Sequence, residues 1–191
     1  MSVAFDSPMT LAEFLTWEER QPLRWEFDGQ HPIAMAGGTR AHAQIQRNLA
    51  ISIGGRRRGG PCQFIGSDLK VQTASDKIRY PDGFVVCTPA AGGSTIVHDP
   101  VVIFEVPSEG TSTRDFGEKN EEYAALPSVQ RYVILFQSRI GGTMFERAGD
   151  DWIGHLLTGD KTIEMPEIGI AVPLAELYVD VDLSGPDESS A

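Results

Sequence analysis

Two stretches of the chain are apolar on both faces, Val101-Val102-Ile103-Phe104-Glu105-Val106 and Arg131-Tyr132-Val133-Ile134-Leu135-Phe136, and both read as central strands. Between them Phe116, Lys119, Tyr123 and Leu126 recur at spacings of three, four and three, which predicts a helix over about 114–126 with all four on one face. Thr111-Ser112-Thr113 offers its caps and Pro127 ends it. Strand, helix and strand in that order predict a β-α-β unit with parallel strands and a right-handed crossover.

Shorter elements surround this unit. Thr10-Leu11-Ala12-Glu13 has the form of a capping box and opens a short helix with Leu11, Phe14 and Leu15 inward. Arg24-Trp25-Glu26-Phe27 and Ile33-Ala34-Met35 flank Asp28-Gly29, a hairpin pattern in which Glu26 points away from Trp25 and Phe27. The stripe Ala41, Ile45, Leu49, Ser52/Ile53 predicts a helix over about 41–53, stopped by Gly54-Gly55, with His42 at the border of the stripe. Residues 63–73 read as one strand and 78–87 as its antiparallel partner; Pro81, lacking an amide, marks an edge, a bulge or a lapse in the ladder. Residues 143–147 and 152–158 form a second hairpin, followed by a short strand near Ile163 and a helical turn over 173–178.

At 191 residues the chain is long enough to bury a real core, and it reads as an arm (1–9), one domain (10–180) and an acidic tail (181–191). Its longest apolar run has five residues, so no membrane span is expected. Cys62 and Cys87 show no metal-ligand spacing and no secretory signal is visible, which makes a reducing cytoplasm the expected location. The net charge of -11 argues against broad affinity for nucleic acid. Within residues 40–79, however, eight basic residues (Arg40, Arg47, Arg56, Arg57, Arg58, Lys70, Lys77, Arg79) face two acids, which leaves a local phosphate-facing surface open. Arg56-Arg57-Arg58, flanked by glycines, reads equally as a solvated loop.

The polar outliers carry the candidate chemistry. Glu105 is the only charge in its run, so either a cation sits beside it or it lies at the wet end of the strand. Asp82 heads the apolar run 84–87, and if the two strands are neighbours the two acids face each other and can share one divalent ion. The alternative is a strand-end acid bonded to backbone amides. Lys119, in an otherwise apolar stripe, must snorkel or meet anions. Two carboxylates suit Mg2+ or Mn2+, whereas His31, His42, His98 and His155 lack zinc spacing. A hard ion with a lysine nearby fits phosphodiester hydrolysis; a glycosidase pair would not use the lysine.

Pro81-Asp82, followed 23 residues on by Glu105-Val106-Pro107-Ser108, resembles the P-D...(D/E)-x-K signature of the restriction-endonuclease-like superfamily. Closer still, the capped first helix, Trp25-Glu26-Phe27-Asp28-Gly29, Ala41-His42, Ser67-Asp68-Leu69, Glu118-Lys119 with Tyr123, Leu126-Pro127-Ser128 and Pro173-Leu174-Ala175-Glu176-Leu177 are similar to the Uma-two family of endonucleases, across roughly residues 9–180. The resemblance implies an α/β (α+β) fold: a restriction-endonuclease-like mixed β-sheet flanked by helices, with a C-terminal β-hairpin extension. It implies Mg2+ (or Mn2+) on Asp82, Glu105 and the backbone carbonyl of Val106, with Lys119 catalytic and Glu26 an accessory acid. The superfamily's lysine falls on Pro107 here, and the family moves that lysine to the following helix, where Lys119 matches. DNA is the expected partner, with His42, Arg40, Arg47 and Lys70 as the residues expected to contact it, and a homodimer is left open. Pro107 and the net acidity speak for the competing expectation, a catalytically silent binding or assembly module.

Overall fold

The computed structural model of the chain describes residues 7–35, 37–107 and 115–183. Its first helix forms as the capping box requires. Thr10 Oγ1 accepts from the Glu13 amide at 3.3 Å, Glu13 Oε2 accepts from the Thr10 amide at 2.8 Å, and α1 (Leu11–Glu18) follows. β1 (Trp25–Phe27) and β2 (Pro32–Ala34) pair antiparallel around the Asp28-Gly29 turn, where Gly29 takes a φ of 97° that a side chain would disfavour.

α2 (Arg40–Leu49) is capped by Thr39, whose Oγ1 accepts from the His42 amide at 3.1 Å. It does not stop at Gly54-Gly55. The coil continues through a wider π-type turn (Ala50–Gly54) and a last turn (Gly55–Arg57), so Arg56 and Arg57 end a helix instead of lying in a loop. Glycine only lowers helix propensity, and here Ser52 and Ile53 are buried on the packed side, which outweighs it.

Each of the two long strands expected over 63–73 and 78–87 is broken in two. β3 (Gln63–Gly66) and β4 (Lys70–Gln72) replace the first, and β5 (Ile78–Arg79) and β6 (Gly83–Val86) replace the second. β3 pairs with β6 and β4 with β5, but the two pairs belong to different sheets. One break is a turn at Ser67-Asp68-Leu69; the other is Tyr80-Pro81-Asp82, where proline has no amide for the ladder.

β7 (Ile96–Val97) then adds to β4 in parallel, and β8 (Pro100–Glu105) enters the larger sheet beside β6. α3 (Asn120–Ala124), entered through a π-type turn (Asp115–Lys119), connects β8 to β9 (Arg131–Leu135), and these two strands are parallel, as a β-α-β unit requires. The wider turn rotates Phe116 off the buried line: Lys119, Tyr123 and Leu126 are buried, while Phe116 is 36% exposed. The expected caps at Thr111-Ser112-Thr113 lie outside the described residues. β10 (Gly141–Ala148) and β11 (Asp151–Thr158) form the second hairpin, β12 (Thr162–Met165) and β13 (Ile170–Pro173) a small sheet of their own, and a 3-10 turn (Leu174–Tyr178) is the last described element.

The six-stranded sheet has the order β11-β10-β9-β8-β6-β3 and the five-stranded sheet β2-β1-β5-β4-β7. On one face of the larger sheet, Val85, Val102, Phe104 and Val133 pack against Ile45 and Leu49 of α2 and the C-terminal elements. On the other face, Phe84, Ile103, Tyr132 and Ile134 pack against Tyr123 of α3 and Val71 and Val97 of the smaller sheet. A third cluster, Phe14, Trp25, Phe27, Ile78 and Tyr80, fixes α1 to the smaller sheet. Cys62 and Cys87, one residue beyond the Gln63↔Val86 pair, are joined in a disulfide across β3 and β6. Among the described residues no helix is long and apolar enough to cross a membrane.

Candidate active site

β6 and β8 run antiparallel with Gly83 opposite Phe104, so Asp82 and Glu105 occupy the next facing positions at one end of the larger sheet. Their carboxylates nevertheless meet groups from different layers. Asp82 Oδ2 accepts from the Val106 amide at 2.6 Å; its Oδ1 accepts from Gln46 Nε2 at 2.6 Å and lies 2.8 Å from His42 Nε2. His42 and Gln46 stand one turn apart on α2, which covers the Phe104 face. The backbone-amide arrangement left open for a strand-end acid is therefore present at Asp82, completed by two side chains of α2.

Glu105 is 4% exposed, and the cation that its burial calls for is Lys119. Lys119 Nζ lies 2.8 Å from Glu105 Oε1 and 3.3 Å from Glu26 Oε1, and the Tyr123 hydroxyl donates to the same Glu105 oxygen at 3.2 Å. Lys119 meets anions and does not snorkel. Glu26, on the face of β1 opposite Trp25 and Phe27, is also 3.3 Å from Arg79 Nη1 and accepts from the Tyr80 amide at 3.3 Å. Arg79 in turn holds Glu122, which also binds Lys77 at 2.8 Å.

Three carboxylates (Glu26, Glu105, Glu122) and three cations (Lys77, Arg79, Lys119) thus alternate between the two sheets. Burial works to raise the Glu122 carboxyl and to lower the Arg79 guanidinium. The hydrogen bonds and charges between them prevail, so Glu122 sits below its ordinary value and Arg79 above. Burial, with Glu105 and Glu26 close by, holds the Tyr123 phenol well above its ordinary value, which keeps it a neutral donor.

The basic stretch does not form one phosphate-facing surface. Lys70 is buried against Glu18 at 3.0 Å, Arg56 pairs with Glu176 at 2.8 Å, and Lys77 and Arg79 belong to the buried network. Arg47 binds Asn48 Oδ1 and the Val179 carbonyl, with Asp180 at 3.7 Å. Arg40 is exposed on the first turn of α2. Of the residues expected to contact DNA, Lys70 is committed to the core and Arg47 to the C-terminal turn; His42 reaches Asp82, and Arg40 faces solvent.

Sequence reasoning missed several participants. Gln46 follows His42 by one helical turn, which was the available signal. Gln137, just after β9, donates to the carbonyls of Val106 at 3.1 Å and Pro107 at 2.9 Å and accepts from Thr39 Oγ1 at 2.6 Å, tying α2 to the strand end. Nothing local marks it. Tyr123 stands out in the sequence as a stripe position and a family motif residue but not as a partner of Glu105, and nothing local marks the Arg79–Glu122 pair.

In kind, Asp82, Glu105 and the Val106 carbonyl all offer oxygen, the donor that a hard divalent cation takes, and Mg2+ needs only one or two carboxylates. Asp82 Oδ2 carries a single hydrogen bond among the described residues and so keeps acceptor capacity. Among the described residues no group of three or more His, Cys, Asp or Glu side chains is placed to hold a metal ion.

The sequence matches the family Uma2, "Putative restriction endonuclease", over residues 11–174. It is 32% identical over 170 residues to uncharacterized protein slr1290 of Synechocystis sp. (strain ATCC 27184 / PCC 6803 / Kazusa), covering 87% of this chain and 89% of that protein. Uncharacterized protein sll1609 of the same organism is 27% identical over 170 residues, covering 84% and 94%. The crystal structure of a "putative nuclease belonging to DUF820" from Anabaena variabilis ATCC 29413 aligns with a TM-score of 0.65 at 15% identity, over 90% of this chain and 98% of that one, and shares the fold. The family match runs from α1 to the C-terminal 3-10 turn and takes in every site element described above, so the chain belongs to the Uma2 family.

Proposed function

We propose that the protein is an endonuclease that hydrolyses DNA phosphodiester bonds with Mg2+ or Mn2+ as cofactor. The observation that carries this reading is the Lys119 ammonium 2.8 Å from Glu105, at the strand end where Asp82 and Glu105 hold opposite backbone positions. Two acids and one amine on rigid neighbouring elements make up a set suited to phosphoryl chemistry. Asp82, Glu105 and the Val106 carbonyl would hold the cation, which when bound supplies Lewis acidity and a more acidic water.

The remaining roles belong to the chain itself. Lys119 offers its positive charge to the phosphoryl group or orients the attacking water, and Glu26 keeps that ammonium from collapsing wholly onto Glu105. Tyr123 orients Glu105, while Gln46, His42 and the Val106 amide orient Asp82.

One observation favours the second reading, a silent binding or assembly module: both oxygens of Asp82 already accept hydrogen bonds, and position 107 carries proline. The two readings separate in one experiment. Supercoiled plasmid is incubated with purified protein and Mg2+ or Mn2+, alongside Asp82→Asn and Glu105→Gln, with Mn2+ binding followed by calorimetry. Metal-dependent nicking by the native chain, lost in both variants at unchanged melting temperature, supports the nuclease. Full activity in Glu105→Gln, or no Asp82-dependent Mn2+ heat, sinks it.

A further inference from the structure

Beside the carboxylates the surface turns aromatic. Phe136 follows β9 directly and its ring lies against Gly141. Its amide donates to the Gly141 carbonyl at 3.0 Å and its carbonyl accepts from the Tyr178 hydroxyl at 2.8 Å, so the residue is anchored at both ends. Arg139 Cζ lies 4.4 Å over the Phe136 ring, and the exposed Phe116 approaches the same ring at 6.5 Å between centroids. This shelf adjoins the site. Gln137, the next residue, holds the Val106 and Pro107 carbonyls, and Phe116 is three positions from Lys119.

The charges at hand narrow what such a shelf can bind. Duplex DNA is held chiefly by cations that neutralise its phosphates. This chain carries a net charge of -11, and Arg47, Arg56, Lys70, Lys77 and Arg79 are paired with its own acids. Near the shelf stand Arg139 and Arg40, the latter next to Thr39, which binds Gln137. Two cations suit a light hold on a backbone, not a duplex footprint. An unpaired base, by contrast, stacks on aromatic rings and guanidinium planes whatever its identity.

We propose that Phe116, Phe136 and Arg139 form a stacking site for an unpaired nucleobase, and that the strand presented to Asp82, Glu105 and Lys119 is single-stranded DNA. This deepens the nuclease reading and rests on it for the chemistry, but binding can be tested without cleavage.

The test is fluorescence anisotropy of the full chain, in EDTA and again in Ca2+, with a labelled oligothymidylate, a duplex of the same length and an abasic strand of the same charge. The oligothymidylate should bind about tenfold more tightly than the other two, and Arg139→Ala and Phe116→Ala should each weaken it by roughly tenfold at unchanged circular dichroism. Equal binding of the abasic strand overturns the proposal. So does absence of single-strand binding in both buffers, or undiminished affinity in both folded variants. A chain that binds single strands in this way yet cuts neither plasmid nor single-stranded DNA with Mg2+ or Mn2+ refutes the nuclease reading alone; one that cuts duplex without base-dependent binding refutes the shelf alone.

Discussion

Arg79 holds Glu122 through two hydrogen bonds at once, Nε to Oε2 at 2.8 Å and Nη2 to Oε1 at 2.7 Å, and none of its side chain reaches water. One partner belongs to β5 of the smaller sheet and the other to α3 on the larger, so this pair joins the two layers. Glu26 and Lys119 carry the same chain of charges on to Glu105. The candidate site is therefore supported from behind by fully engaged ions, not by apolar packing alone.

Removing Arg79 leaves two buried carboxylates short of their cation. Arg79→Met should lower the unfolding free energy by about 3–5 kcal/mol, read from urea titration. Arg79→Lys should restore little of it, because an ammonium cannot reproduce the two-pronged contact with Glu122. A change below about 1 kcal/mol in Arg79→Met would contradict the network.

Acid should act through Glu122. Its folded-state value is depressed, so its contribution to stability is present above the ordinary carboxyl value of 4.5 and is lost as the pH falls through the depressed value. Unfolding free energy against pH should drop on the acid side of 4.5, and Glu122→Gln, though less stable at neutral pH, should show a shallower drop over that window. Parallel acid limbs in the two proteins would count against the assignment.

The Cys62–Cys87 bond closes a loop with a sequence separation of 25. Reduction, or the Cys62→Ser/Cys87→Ser double variant, should cost about 3.5 kcal/mol in unfolding free energy on the loop-entropy relation. Mass spectrometry after alkylation under non-reducing conditions checks the bond itself: two blocked thiols in protein purified without reductant would show it unformed.

Lys119→Met should reduce plasmid nicking by roughly a hundredfold or more, as loss of one charge-stabilising donor does elsewhere. It should also lower the melting temperature, since Glu105 and Glu26 both lose a buried cation. Glu26→Gln separates the two effects: it keeps Lys119 beside Glu105, and it should cost stability with a smaller loss in rate.

Elements whose cause lies within a few residues were legible from the chain alone. The capping box at Thr10, the hairpin around Asp28-Gly29, the β8-α3-β9 unit and the 143–158 hairpin follow from local hydrogen bonding and from apolar periods of 2 and 3.6. Glu105 and Lys119 stood out for a related reason: an ionic group inside an apolar run must find a counter-charge wherever the chain folds. Pro81 marked an edge, a bulge or a lapse in its ladder, because a missing amide is a local fact, and the structure takes the last of these.

Which counter-charge each group finds is a different kind of question, and only the tertiary structure answered it. Two strands read as continuous were divided between two sheets; Asp82 turned to His42 and Gln46, 40 and 36 positions away; and five of the eight cations of residues 40–79 were drawn off by acids as distant as Asp180. Periodicity ranks positions as inward or outward, but it is silent on which of several inward ions meet. That choice depends on the three-dimensional distance between segments remote in sequence, on which Coulomb energy and hydrogen-bond geometry depend steeply.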